Sequence, residues 1–90
     1  GRRACTVGGR LVALPPREYE LLLCLMRNKG QVLRREQLLD KVWGIDFEGG
    51  DRAVDGRIKA LRAALGPAGK QIRTVFKVGY KLEGEQHGAD

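Results

Sequence analysis

Residues 51–81 read DRAVDGRIKALRAALGPAGKQIRTVFKVGYK, and this stretch decides the fold. Val54, Ile58, Leu61 and Leu65 recur at helical spacing and form one apolar stripe. A helix is expected over residues 51–65. Asp51 would serve as its cap or first-turn acid, and Gly66-Pro67 as its stop. Residues 71–76 and 79–83 then alternate as two strands joined at Lys77-Val78, a hairpin. At helical periodicity, Gly56 and Ala63 lie opposite the stripe. Arg52, Lys59 and Ala60 lie beside them, and Arg57 and Arg62 sit on the flanks. The outward centre is therefore small and its rim positive. Small central residues let a backbone approach base edges, while long cations reach phosphates on either wall of a groove. Basic residues opposite a core stripe are usually only a solvated face. Gly56 argues against that here, because glycine costs ~1 kcal/mol relative to alanine inside a helix. Arg73, Lys77 and Lys81 extend the positive charge onto the hairpin.

Upstream, residues 4–14 read as two short strands around the turn signal Gly8-Gly9. Pro15-Pro16 ends the second strand, and Pro16 suits the first turn of a helix. That helix is expected over residues 16–29, with Tyr19, Leu22, Leu23 and Met26 on one face. Leu21, Cys24 and Leu25 are apolar on the opposite side, so it should pack on both sides. Gly30 is its stop. A further helix is expected over residues 34–43, with Leu38, Leu39, Val42 and Trp43 inward and Gly44 at its end. A loop rich in glycine and acid follows, carrying one aromatic, Phe47.

Ninety residues make one domain with a modest core and little room for a deep cavity. The chain carries 17 Lys+Arg against 11 Asp+Glu, a net charge of +6, which favours an anionic partner. Cys5 and Cys24 have no metal-ligand spacing and read as reduced cytoplasmic thiols. The longest apolar run, residues 21–26, is far below the ~18 residues that span a bilayer. The sole histidine, His87, lies in the tail, so no catalytic Ser/His or Cys/His arrangement exists. Asp46, Glu48 and Asp51 lack the spacing of a calcium loop. No enzyme, cofactor or metal is expected.

Three segments carry a specific resemblance: LPPREYELLLCLMRNKGQVLRREQLLDKVWG, then DRAVDGRIKALRAALG, then IRTVFKVGYKL. In this order and spacing, over about residues 10–82, the chain resembles the OmpR/PhoB-type output domain of two-component response regulators. The resemblance implies an α+β winged helix-turn-helix: antiparallel strands, three helices and a C-terminal hairpin wing. It implies that the helix at 51–65 enters the major groove of double-stranded DNA and that the wing, 72–82, lies on an adjacent minor groove or backbone. Arg52 matches a phosphate-contacting arginine. Ala53, Gly56, Arg57 and Ala60 match base-facing positions, with Lys59 on the same face. Arg62 matches a basic position near the backbone, and Asp55 a structural salt-bridge partner. Trp43 matches a partly buried tryptophan that touches phosphate in some members, and Thr74 lies on the wing. The loop Ile45, Asp46, Phe47 and Glu48 matches the region where some members contact RNA polymerase. Further implied partners are a receiver domain and a second, head-to-tail copy on direct repeats one turn apart.

The chain also departs from the family. Its wing reads TVFKVGY where TVRGVGY is common, so Phe76 stands at the minor-groove arginine and Lys77 at the tip glycine. Lys77 is the expected wing contact. Two readings stay open for Phe76, insertion against DNA or packing on the protein. Pro15 and Arg34 replace the hydroxyl caps of two helices. Arg34 and Arg35 oppose the dipole at a helix start unless a phosphate lies nearby, which makes both candidate backbone contacts. The domain is expected over residues 1–83, with a shortened N-terminal sheet and a disordered tail at 84–90, as one piece of a longer cytoplasmic protein. With about four to six phosphate contacts, log K should fall with log[salt] at a slope of about −4 to −5. Two rival readings are a protein-docking winged helix and a non-specific nucleic-acid binder.

Overall fold

The computed structural model describes residues 3–7 and 9–84. Strands β1 (Arg3–Val7) and β2 (Arg10–Leu14) form an antiparallel hairpin, with Val7 opposite Arg10. That register leaves a two-residue turn, and Gly9 takes the left-handed conformation it requires (φ +80°). The other half of the expected turn, Gly8, lies outside the described residues, as do 85–90 of the expected tail. Helix α1 (Pro16–Arg27) starts with proline in its first turn and has no side-chain cap at Pro15.

Helix α1 ends two residues before the expected boundary. The amides of Asn28 and Lys29 bond three residues back, to Leu25 and Met26, tightening the last turn. The Asn28 side chain donates to the Cys24 carbonyl (2.8 Å), and Gly30 turns the chain away at φ +87°. The buried face draws on both expected sides, Leu22 from one and Leu21 and Leu25 from the other. It comprises Glu18, Leu21, Leu22 and Leu25, whereas Met26 is 54% exposed. Apolar residues on both sides gave this helix two equivalent stripes, and the buried one contains an acid.

A third strand, β3 (Leu33–Arg34), was not expected. It pairs antiparallel with the second wing strand, Leu33 opposite Tyr80 and Arg34 opposite Gly79. Glycine is required at 79, because a Cβ there would collide with the Leu33 carbonyl oxygen. The expected second helix is two pieces: α2 (Arg35–Leu38), then a π-helical turn (Leu39–Trp43) closed by the Gly44 amide on the Leu39 carbonyl. The Gln37 side chain accepts the Arg34 amide at 2.8 Å. Arginine has no acceptor, so only this half of a capping box forms.

Helix α3 (Arg52–Leu65) buries Val54, Ile58, Leu61 and Leu65, the expected stripe. Asp51 stands at the cap position but makes no side-chain cap bond; its backbone is helical there. Gly66 ends the helix with φ +62°. A 3-10 helix (Gly66–Gln71) then leads into β4 (Ile72–Val75) and β5 (Gly79–Leu82). The wing sheet has order β3-β5-β4.

One core joins these parts. Leu14, Leu21, Leu25, Leu38, Val54, Ile58, Leu61 and Ile72 are its most deeply buried side chains. The result is an α+β winged helix, as the resemblance implied. No described helix is long and apolar enough to cross a membrane.

Candidate nucleic-acid interface

The outer face of α3 follows from its buried one. Helical geometry turns Arg52, Gly56, Lys59, Ala60 and Ala63 away from the stripe, and all five are exposed. A Cβ added at Gly56 would meet nothing within 4 Å, so no packing in the fold calls for glycine. Arg52 and Lys59 have no ion-pair or hydrogen-bond partner among the described residues. Ala53 is half-buried.

The flanking cations are engaged within the fold. Arg57 Nη1 donates to Glu18 Oε2 at 3.2 Å, and Glu18 is 5% exposed. This pair ties α3 to the first turn of α1. Arg62 donates from Nε (3.0 Å) and Nη2 (2.7 Å) to the Ile72 carbonyl, and from Nη2 to Thr74 Oγ1 (2.7 Å). Its guanidinium also lies 5.6 Å from the centre of the Tyr80 ring. Arg62 therefore joins α3 to the wing, and Thr74 is part of that joint.

Arg34 and Arg35, which conflict with a helix dipole on sequence grounds, find carboxylates inside the fold. Arg34 pairs with Glu36 at 3.4 Å and Arg35 with Asp55 at 3.1 Å. Asp55 also accepts the Tyr80 hydroxyl at 2.6 Å, so it is the structural acid the resemblance implied. Burial pushes the Tyr80 hydroxyl above its ordinary pKa, and the hydrogen bond and negative charge of Asp55 add to the rise. It donates to Asp55 throughout the neutral range.

The turn Phe76-Lys77-Val78 closes with the Val78 amide on the Val75 carbonyl (2.9 Å). Phe76 belongs to this turn, not to the strand expected through 76. Lys77 sits at its tip in the left-handed region, φ +62°, where glycine is usual. The Trp43 ring has the Arg17 guanidinium 5.9 Å from its centre and the Phe47 ring centre 6.0 Å away. Phe47 also covers Gly49, where any Cβ would strike its ring. Ile45 is 85% exposed, and Asp46 and Glu48 are exposed beside it.

Sequence reading missed Glu18 and β3. An acid two residues after the Pro15-Pro16 break was the available signal for the first. Glycine before an aromatic in the second wing strand was the signal for the other.

A small-faced helix with a rigidly joined hairpin defines the class: a winged-helix DNA-binding domain of the response-regulator type. The family match is direct. Residues 9–82 match "Transcriptional regulatory protein, C terminal", and the chain belongs to that family. It is 44% identical over 86 residues to the sensory transduction protein RegX3 of Mycobacterium tuberculosis, covering 92% of this chain and 38% of that protein. The chain thus spans well under half the length of that relative. The RstA DNA-binding domain of Klebsiella pneumoniae, solved in complex with the RstA box, has TM-score 0.78 and 34% identity, covering 90% of this chain and 83% of that one. The DNA-binding domain of Bacillus subtilis CssR has TM-score 0.75 and 30% identity, covering 91% and 99%.

Proposed function

We propose that α3 reads the major groove through Gly56, Ala60 and Ala53, with Arg52 and Lys59 on the flanking phosphates and Lys77 on the wing side. The chain is the DNA-binding domain of a response regulator and acts in transcription control by sequence-specific binding of duplex DNA. One observation carries the site: the exposed centre of α3 is small and open at Gly56, while Arg52 and Lys59 beside it have no partner among the described residues. An unpaired cation is free to release counterions on meeting phosphate, whereas a paired one exchanges a carboxylate first. Arg34, Arg35, Arg57 and Arg62 are engaged, which leaves Arg52, Lys59 and Lys77 for phosphate and a salt slope of about −3. Arg57 still presents a half-exposed guanidinium at the edge of the face. The complex of RstA with its box supports the same use of the fold.

With alanines and glycine at the centre, base reading rests on contact with thymine methyls and on Arg57. Each half-site is then only moderately specific, and two head-to-tail copies on a direct repeat supply the rest. The exposed loop Ile45, Asp46, Phe47 and Glu48 faces RNA polymerase in this arrangement, and a receiver domain in the full-length cytoplasmic protein sets when the domain acts. Selection from randomised duplex DNA at physiological salt tests the reading. An enriched direct repeat at one-turn spacing is expected. Retention of DNA with no enriched sequence would leave only electrostatic binding.

A further inference from the structure

We propose that Phe76 is an apolar wedge that enters the minor groove and unstacks a flexible base step. This rests on the DNA-binding reading and adds a shape-reading element to it. Phe76 is 80% exposed, so the packing alternative that sequence left open does not hold. Its neighbour Val78 is exposed as well, which gives the wing tip two apolar side chains. The ring is contacted by the Lys77 ammonium, 5.5 Å from its centre. A phenyl group left in water at the end of a hairpin forgoes the gain of burial.

The tip is also tied to the rest of the fold. The Val78–Val75 bond closes the turn, and β5 is flanked by β3 and β4. Arg62 fixes β4 to the last turns of α3 through Ile72 and Thr74. Phe76 is thus carried at a set offset from the face that enters the major groove. Apolar wedges of this kind separate base steps from the minor-groove side, and the groove's negative potential favours the adjacent ammonium of Lys77. Pyrimidine–purine steps unstack at least cost, so a TA or CA step is expected at that offset from the major-groove site.

The test uses a duplex enriched by the domain from randomised DNA and, as a defined companion, an alternating A·T duplex. Each carries 2-aminopurine at one adenine at a time. Wild-type domain should raise the fluorescence at one step beneath the wing. Phe76→Ala should abolish that rise and weaken binding about tenfold. Its salt slope should stay unchanged, because no phosphate contact is lost. Lys77→Ala should do the reverse, keeping the fluorescence rise and lowering the slope by about 0.9. Phe76→Leu should retain part of the effect. Unchanged affinity and fluorescence in Phe76→Ala, with wild-type binding intact, would overturn the wedge while leaving the DNA-binding reading in place. Wild-type binding with no fluorescence rise at any step would also overturn the wedge alone, whereas a selection that enriches no duplex, with no binding to the A·T companion, would overturn both.

Discussion

Arg57 serves the fold before it serves any ligand. Its guanidinium holds the carboxylate of Glu18, which is buried at 5% exposure. Removing the arginine alone strands that carboxylate. Arg57 is half exposed, so water screens part of the loss, and about 1–2 kcal/mol is the expected destabilisation. Pairing Arg57→Ala with Glu18→Gln removes the stranded charge. In urea unfolding the double variant should be more stable than Arg57→Ala alone; equal stability would show that the pair is not coupled. The double variant is also the one in which loss of base preference speaks for a reading role. Cys24 offers a second check at this scale. Burial raises its pKa above the ordinary value, and Lys41 and Arg27 only partly oppose that. A raised thiol pKa leaves less thiolate at pH 8, so iodoacetamide should alkylate Cys24 more slowly in the folded chain than after unfolding. Equal rates would contradict the packing described for α1.

Among the elements, α3 was legible because Val54, Ile58, Leu61 and Leu65 form a single stripe, which leaves one solution for its phase. Helix α1 was not, because apolar residues on all sides permit two phases and its buried Glu18 depends on a partner 39 residues away. Strand β3 is two residues long and has no period to read. It is created by the approach of Leu33 to Gly79, a tertiary event. The small, exposed outer centre of α3 was legible for the same reason as the helix itself. What sequence could not show was which cations are spent inside the fold. Arg62 is the clearest example, since its position on α3 reads as a DNA contact and its bonds go to β4. Arg62→Ala should cost about 2 kcal/mol, the range for hydrogen bonds to a charged group. It should also raise hydrogen exchange in residues 72–75 more than in α1. Uniform protection across both would mean that the wing is held by the sheet alone.

Across the whole molecule, charge is arranged by use. Among the described residues, four arginines join elements: Arg57 holds α1 to α3, Arg35 holds α2 to α3, Arg62 holds α3 to β4, and Arg17 reaches the Val42 carbonyl (2.9 Å). Arg52 and Lys59 hold nothing among the described residues and flank the small centre of the outer face of α3. Net charge alone would not distinguish these two groups. Gly56 does, because it weakens its helix and fills no packing need. Gly56→Leu is therefore the most direct measurement. The new side chain projects into open space, so the fold should gain about 1 kcal/mol and its Tm should rise by about 4–8 °C. The same variant should lose preference for the enriched duplex over a scrambled one. A stabilised Gly56→Leu domain that still discriminates as well as wild type would contradict the claim that this face reads DNA.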